Sequence, residues 1–324
     1  MNDIHETDRS DATHSRIPLP GQSGHDAMVI ELQRLFETHQ QTGKVTIEYQ
    51  TNVFLGQRQM HGLPNHDKGR QIDWGKTSAD YAVYRPGYPS SFFQRLATLA
   101  VGLPGQRILD LGTGTGVLAR VFAAQGCRVM GTDVAVNQIA EARRLAAEQG
   151  VTAEFMVASA EDTGLPDGAF DVITASQSWL YFDTNRTIPE VLRLLAPDGC
   201  LMTCHFCWLP RHDEVAWRTE ELVLKFNPNW SAGNWSGDIP PQPEWSREQF
   251  RVRAMFYYDE PIPFTRETWR GRIRACRGVG ATLSAAVVEQ FDAEHARMLE
   301  QTVPETFTVL HRIDCHIFEP VETI

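Results

Sequence analysis

The chain has 324 residues, of which 42% are hydrophobic, and a formal net charge of −11, which suits one large α/β domain with additions or two small domains. The negative charge argues against a nucleic-acid partner, because phosphate binding requires a basic surface, and no apolar run approaches the ~18 residues that span a membrane. The polar N-terminus has no signal-peptide pattern and the six cysteines are irregularly spaced, so we expect a cytoplasmic protein without a disulfide framework or a membrane partner.

The first part of the chain is predicted to be an accessory segment. Residues 1–26 are rich in Asp, Ser, His, Pro and Gly, and we expect them to be disordered or loosely packed. Apolar spacing predicts a helix over 27–42 and a strand or short hairpin over 45–55. Residues 56–75 have the composition of a linker into the main domain, and we assign 27–72 to the accessory helix-strand segment and linker.

This helix and strand cannot bury a hydrophobic core by themselves. The segment must therefore pack on the main domain, cover its site or pair with another subunit. A homodimer is one of these three arrangements, and the sequence does not choose between them.

The main domain is predicted over residues 73–320. Strands and helices alternate from Arg107 to Phe206, which predicts right-handed crossovers and a mostly parallel, doubly wound α/β sheet. Inserts are predicted at about 208–245 and 260–305, where this alternation fails. The predicted elements beyond Phe206 are a helix over 213–226, a strand near 252–258, helices over 265–274 and 284–302, and a last strand over 313–318.

The most informative motif is the stretch RILDLGTGTG, residues 107–116. It predicts a buried strand that turns through three glycines into a helix, because glycine tolerates positive φ and close approach of a ligand. The free N–H groups and the dipole of that helix favour the polar end of a small metabolite. The motif differs from the dinucleotide pattern G-x-G-x-x-G, because Val117 stands where that pattern has its third glycine.

A second predicted strand ends in Asp133, at about the distance where a ribose-binding carboxylate follows such a turn. Together these elements resemble the class I S-adenosylmethionine (SAM) dependent methyltransferases of the small-molecule type, such as the trans-aconitate and ubiquinone-biosynthesis enzymes. The matching elements are Asp110-x-Gly112-x-Gly114-x-Gly116, Asp133, Phe170-Asp171-Val172-Ile173 and Leu194-Leu195-Ala196-Pro197-Asp198-Gly199. The resemblance covers roughly 73–320 and implies a Rossmann-like, seven-stranded domain that binds SAM.

The resemblance also implies a SAM site at the carboxyl ends of the strands. The residues that it assigns to the cofactor are Asp110, Gly112, Thr113, Gly114, Gly116, Asp133, Val134, Ala160, Glu161, Ser176, Gln177, Tyr81 and Arg85. Ser159 stands where the family often has Asp, so the side chain that contacts adenine is expected to be Glu161, with Asp162 as a substitute. The alternative is that both are a solvated pair of loop acids.

The segment from Tyr81 to Pro86 resembles the lid of small-molecule methyltransferases. A tyrosine and an arginine in this segment can meet the methionine carboxylate or an anionic acceptor, since guanidinium matches carboxylate bidentately. The alternative is a capping helix whose aromatic residues belong only to the core.

Methyl transfer from a sulfonium mainly requires alignment of the nucleophile, and a base is needed only when the nucleophile arrives protonated. Related chains often carry His-Trp after the fourth strand, but this chain has Trp179, Leu180 and Tyr181 there. His205 is then the remaining central candidate for a base, although it can equally be a hydrogen-bonded structural histidine. Tyr84, Trp179 and Tyr181 complete the predicted catalytic set.

Two further clusters have structural alternatives. Cys200, Cys204 and Cys207 lack the paired spacing of a zinc site, so no metal is expected. Three arginines spaced by four, at 266, 270 and 274, share a helical face. They can bind an acidic group of the acceptor or pair with acids on the protein surface.

The predicted function is transfer of the SAM methyl group to a small, anionic metabolite. The alternative is intramolecular cyclisation of SAM to azetidine-2-carboxylate and methylthioadenosine, as in a few enzymes that look like methyltransferases. The missing histidine, the aromatic set and the extra N-terminal segment keep this alternative open. A SAM-binding regulator without activity is the third hypothesis.

Overall fold

The structure is a computed structural model, and the parts of the chain that it describes are residues 25–40, 66–67, 70–71, 80 and 83–321. Contacts between Cα atoms divide the chain into two compact units, residues 1–59 and 60–324. Each unit has its own internal organisation and is described by itself.

In the first unit the described element is helix α1 (His25–His39), which confirms the helix predicted over 27–42. It carries large apolar residues that are exposed, namely Val29, Ile30, Leu32, Leu35 and Phe36. The strand predicted over 45–55 lies outside the described residues, and so do residues 1–24 and most of the predicted linker.

A seven-stranded sheet is the centre of the second unit. Its strands are β3 (Arg107–Leu111), β4 (Arg128–Asp133), β5 (Glu154–Val157), β6 (Phe170–Ser176), β7 (Leu195–Trp208), β8 (Phe250–Thr265) and β9 (Thr306–Pro320). They are preceded by a small antiparallel pair, β1 (His66–Asp67) and β2 (Arg70–Gln71). The spatial order is β5-β4-β3-β6-β7-β9-β8. The first five strands of the sheet pair in parallel and β9 runs antiparallel to both its neighbours, which confirms the predicted fold.

Helices of the second unit alternate with the first five strands and then form the two inserts. They are α2 (Ser90–Thr98), α3 (Val117–Ala124), α4 (Val136–Gln149), α5 (Thr184–Leu194), α6 (Glu214–Phe226), α7 (Arg266–Arg274) and α8 (Ala285–Thr302), with 3-10 turns at Trp179–Tyr181 and Glu244–Ser246. Asp213 and Thr265, the predicted first residues of two helices, are N-caps whose side chains accept backbone N–H groups. None of the described helices is long and apolar enough to span a bilayer.

The sheet is covered by apolar side chains on both faces. Consecutive residues of β3 belong to different hydrophobic clusters: Ile108 packs with Phe92 and Phe122, whereas Leu109 packs with Val191. Successive side chains of a strand point to opposite faces, so this alternation places one core on each side of the sheet.

The last two strands are longer than their sequence patterns predict. Residues 259–265 extend β8 in spite of Pro261 and Pro263. Both prolines are tolerated because β8 is an edge strand. Residues two apart present their nitrogens to the same side, and on the unpaired side of an edge strand no N–H donor is needed. The prediction of a short strand near 252–258 was therefore wrong in length, and the helix that follows β8 begins at Arg266.

The tryptophans of the inserts mostly form a core. The Trp208 ring centroid lies 6.5 Å from that of Trp230 and 5.7 Å from that of Trp269, and all three side chains are buried. Trp245 instead packs on Trp179 across the other face of the sheet, with ring centroids 4.4 Å apart.

Candidate active site

The candidate site lies at the carboxyl ends of the parallel strands. The chain places β4 on one side of β3 and β6 on the other, so the strand order reverses at β3. In open α/β sheets a crevice for ligands forms at such a point. The predicted site residues at the ends of β3, β4, β6 and β7 therefore meet at one edge of the sheet.

The turn between β3 and α3 requires its glycines. Gly112, Gly114 and Gly116 have φ values of 63°, 57° and 76°, in the left-handed region that favours glycine. A Cβ atom on Gly112 would lie 2.5 Å from Cβ of Ser178, and one on Gly116 would lie 2.9 Å from the Phe155 ring. The turn is thus shaped by backbone conformation and by close packing together.

Asp133 holds this turn from the end of β4. Its Oδ2 accepts a hydrogen bond from the backbone N–H of Gly114 at 3.0 Å, and its Oδ1 accepts one from Ala135 at 2.8 Å. Burial raises the pKa of the Asp133 carboxyl, and these two hydrogen bonds act in the opposite direction. Each carboxylate oxygen retains a lone pair for a ligand hydroxyl. The neighbouring predicted residue, Val134, is exposed beside it.

Asp110 is a buried carboxylate below the turn. It is 2% exposed, and it accepts hydrogen bonds of 2.6 Å from the hydroxyls of both Thr113 and Thr174. Burial raises the pKa of Asp110, these two hydrogen bonds lower it and the nearby Asp133 charge raises it, and together they give a pKa of about 6. Above that pH the site carries a buried negative charge, which attracts a cationic ligand group.

A cavity of about 30 Å³ joins the turn to the segment that precedes α2. Arg85, Tyr88, Asp110, Gly112, Ser176 and Phe206 are among its lining residues. This space holds one or two water molecules, so a larger ligand group requires the walls to move. The structure thus brings together five of the residues predicted for the cofactor, namely Arg85, Asp110, Gly112, Thr113 and Ser176.

Tyr88 is a wall of the cavity that the sequence prediction missed. Its hydroxyl lies 2.9 Å from Oγ of Ser176, and its ring stacks on Phe92 with centroids 4.4 Å apart. Burial raises the pKa of Tyr88 well above its ordinary value, so the hydroxyl stays protonated. The only signal in the sequence was its position just after the lid-like segment.

Tyr84 is attached to the second insert. Its hydroxyl donates to Oε1 of Glu267 at 3.2 Å, and Cζ of Arg274 lies 5.4 Å from its ring centroid. Its ring packs so closely on Gly271 that a Cβ atom there would lie 2.2 Å from Cγ of Tyr84. Tyr81, the other predicted lid tyrosine, lies outside the described residues.

The loop after β5 separates the two acids that could contact adenine. Ser159 donates a hydrogen bond to the Glu161 carboxylate, which also accepts the backbone N–H of Asp183 at 3.0 Å. Asp162 is exposed, and Ala160 is buried beneath the loop. Glu161 is therefore the acid with a defined position.

The end of β6 carries an uncommon backbone conformation. Gln177 has a φ of 57°, which non-glycine residues rarely adopt and which is frequent at functional sites. Its backbone N–H donates to the carbonyl of Cys204 at 2.9 Å, and its Nε2 donates to the carbonyl of Phe206 at 2.6 Å. Gln177 is thus bound to both sides of His205 on β7.

The aromatic residues after β6 differ in accessibility. Trp179 is buried and packs on Trp245 and Phe182. Tyr181 is partly buried, with Cζ of Arg277 5.7 Å from its ring centroid. A catalytic role for either residue remains a prediction, and the Trp179 side chain is part of the hydrophobic core.

His205 has a partner that the sequence prediction missed. Its Nδ1 lies 2.9 Å from Oδ1 of Asp314, which is 1% exposed. The two residues are 109 positions apart in the chain and meet only because β7 and β9 pair with them opposite each other. No local pattern could have identified this pair.

The basic face of α7 is occupied by acids. Arg270 pairs with Glu267 and Asp292, and Arg274 pairs with both of these and with Asp80. Arg266 lies 3.9 Å from a Glu305 carboxylate oxygen, so the contacts of all three arginines match the surface-pairing alternative. Within the part of the chain that the structure describes, no group of three His, Cys, Asp or Glu side chains is arranged to hold a metal ion.

Comparison with known proteins agrees with this geometry. Residues 108–199 match a family of methyltransferase domains. A demethylmenaquinone methyltransferase of Thermus thermophilus is 40% identical over 116 residues, which are 35% of this chain and 53% of that protein. An uncharacterized methyltransferase of Mycobacterium bovis is 31% identical over 149 residues, 46% of this chain and 57% of that protein. The chain thus spans about half the length of these curated relatives.

A solved structure supports the fold alone. A protein of Anaeromyxobacter dehalogenans assigned as a type II methyltransferase superposes with a TM-score of 0.50 at 24% identity. The superposition covers 72% of this chain and 97% of that one.

Proposed function

We propose that the protein transfers the methyl group of SAM to a small, anionic acceptor, through the domain whose residues 108–199 match a family of methyltransferase domains. One observation carries the proposal: a glycine turn at positive φ is tied to the Asp133 carboxylate, directly above the buried Asp110. That arrangement offers backbone N–H groups, a carboxylate at a strand end and a buried negative charge at one place.

The residues present fit SAM in its chemistry. Asp133 has lone pairs for the ribose hydroxyls, Arg85 offers a guanidinium for the methionine carboxylate, and the ionised Asp110 favours a positive charge nearby. Bound SAM would supply a methyl group on a sulfonium, which is already an activated leaving group. The protein then has to hold the acceptor in line and keep water away.

Two cationic side chains near the end of β7 support an anionic acceptor. Arg272 is 4% exposed, and its Cζ lies 5.0 Å from the Trp208 ring centroid. Burial raises the pKa of the Cys207 thiol to about 11, and the charges of Arg85 and Arg272 act in the opposite direction. The positive charges of both guanidinium groups are therefore felt at this end of β7, where they would attract an anionic acceptor.

The experiment is incubation of the full chain with SAM, alone and with a panel of acceptors, followed by mass spectrometry of the nucleosides. The panel contains small carboxylic acids and, because of the Thermus relative, a reduced naphthoquinone. We expect S-adenosylhomocysteine only when an acceptor is present, and the neutral amide of an active acid should react more slowly.

The same incubation decides the two rival hypotheses. Formation of methylthioadenosine from SAM alone would contradict methyl transfer and support the cyclisation hypothesis. Binding of SAM without any nucleoside product, with every member of the panel, would favour a regulator.

A further inference from the structure

His205 and Asp314 form a hydrogen-bonded pair between β7 and β9. The residues face each other in the antiparallel register, and Nδ1 of His205 lies 2.9 Å from Oδ1 of Asp314. An ionised carboxylate can only accept a hydrogen bond, so Nδ1 is the donor. In the neutral imidazole this leaves Nε2 with a free lone pair, and 34% of the His205 side chain is exposed.

Asp314 is poorly satisfied by its surroundings. It is 1% exposed, and its Oδ2 makes no hydrogen bond to any described residue. A buried carboxylate that lacks partners costs stability. The Asp314 carboxylate is stabilised most when the imidazole beside it becomes positively charged. A carboxylate in this position also orients a catalytic histidine.

The Asp314 charge also shifts the pKa of four other titratable groups near the pair. They are Cys204 and Cys207 on β7 and Cys315 and His316 on β9. The Arg85 and Arg272 charges also reach Cys207. Burial raises the pKa of each thiol and lowers the pKa of His316, and Nε2 of His316 lies 2.8 Å from the Pro240 carbonyl. His205 is therefore the accessible base of this group.

The pair is connected to the predicted cofactor residues. Ser176 on β6 pairs with Cys204 on β7, and Gln177 bonds to the carbonyls of Cys204 and Phe206, on either side of His205. His205 thus lies at the level where β6 ends and the candidate site begins.

We propose that His205 is a general base for the methyl acceptor, that Asp314 is its positioning residue, and that the acceptor is methylated on a hydroxyl group. This proposal rests on the proposed methyl transfer. Nε2 of His205 takes the hydroxyl proton, and the acceptor oxygen forms a bond to the methyl carbon as the carbon–sulfur bond breaks. The sulfonium becomes the neutral thioether of S-adenosylhomocysteine, and the positive charge ends on the imidazole beside Asp314.

The first test needs no acceptor. Histidine labelled with ¹⁵N in the full chain reports which ring nitrogen of His205 carries the proton. We expect Nδ1–H in the native protein at neutral pH and a loss of that preference in Asp314→Ala. A neutral imidazole with its proton on Nε2 and none on Nδ1 in the native protein would overturn the dyad.

The second test uses the reduced naphthoquinone menadiol as a hydroxyl probe with SAM and measures the rate at which its O-methyl ether forms. We expect His205→Gln to lower kcat by ~10²–10⁴-fold and Asp314→Asn to lower it less, while affinity for S-adenosylhomocysteine stays unchanged. The deficit of both variants should shrink as pH rises, because a hydroxyl that ionises by itself no longer needs a base. His212→Gln, at an exposed histidine, is the matched control.

The outcomes separate the two proposals. A deficit of equal size at every pH, or one matched by weaker ligand binding or a lower melting temperature, would make the pair structural. Methylation of amine or thiol probes but of no hydroxyl would overturn the acceptor class. If the Nδ1–H tautomer is present but no acceptor is methylated, the proposed methyl transfer fails and the catalytic role of the dyad fails with it.

Discussion

The Tyr84 ring lies so close to Gly271 that no side chain fits at this position of helix α7. A Cβ atom at Gly271 would approach Cγ and Cδ2 of Tyr84 to 2.2 Å. This contact joins the segment that lines the cavity, through its neighbour Arg85, to helix α7 of the second insert. The wall of the candidate site thus depends on one glycine 187 positions away along the chain.

Gly271→Ala should displace Tyr84 and weaken ligand binding. Alanine is favoured over glycine inside a helix by ~1 kcal/mol, so α7 itself should not be weakened. We expect the Tyr84–Glu267 hydrogen bond to be lost and hydrogen exchange over residues 83–88 to become faster. The measurements are exchange mass spectrometry and calorimetry with S-adenosylhomocysteine.

Gly87→Ala is the matched control, because a Cβ atom there would meet nothing within 4 Å. Equal affinities for native protein, Gly87→Ala and Gly271→Ala would mean that this contact does not shape the site.

Asp133→Ala should reduce the affinity for SAM while the fold persists. The loss of a charged hydrogen-bond acceptor costs ~1.5–3 kcal/mol, which is about tenfold to more than a hundredfold in Kd. The turn should also loosen, because Gly114 loses the acceptor of its N–H. Calorimetry gives the affinity. The Kd of Asp133→Asn, which keeps one carbonyl oxygen, should lie between those of the native protein and Asp133→Ala. An unchanged Kd in the alanine variant would remove Asp133 from the site.

Asp110→Asn should stabilise the folded protein at neutral pH and impair its function. The pKa of Asp110 is raised from 3.8 to about 6 by burial, so its contribution to stability is complete below pH 3.8 and is lost as pH rises through 6. A difference of this size corresponds to roughly 3 kcal/mol. Urea unfolding should show the variant more stable than the native protein at pH 8 and equal to it near pH 4.

The affinity of the native protein for SAM should fall as pH decreases through 6, because protonation of Asp110 removes the buried negative charge. The Asp110→Asn variant should bind SAM weakly without this pH dependence. A native affinity that stays constant between pH 5 and 8 would contradict a role for the Asp110 charge in binding.

Gly116→Ala should destabilise the protein more than Gly150→Ala. Both glycines have positive φ, 76° and 65°, so both variants incur a left-handed backbone cost of ~1–2 kcal/mol. Only at Gly116 would the new methyl group also meet a neighbour, the Phe155 ring at 2.9 Å. Chemical denaturation measures both, and equal losses would show that Phe155 moves aside freely.

Several features of this protein could be predicted because they are local. The turn from Gly112 to Gly116 needs three glycines at set spacings, since each must adopt positive φ. Alternating strands and helices predict a parallel sheet with right-handed crossovers, and the distance of Asp133 from the glycine turn predicts a carboxylate at the end of the next strand. Cap residues such as Asp213 and Thr265 identify helix starts to within one residue.

Other features depend on contacts between distant parts of the chain. Asp314 meets His205 only through the register of β7 with β9, and a shift of one residue would turn either side chain to the opposite face. The prolines of β8 are accommodated only because this strand lies at the sheet edge. Burial likewise raises the pKa of Asp110 only after both cores have closed around it, since desolvation belongs to the packed molecule and to no local sequence pattern.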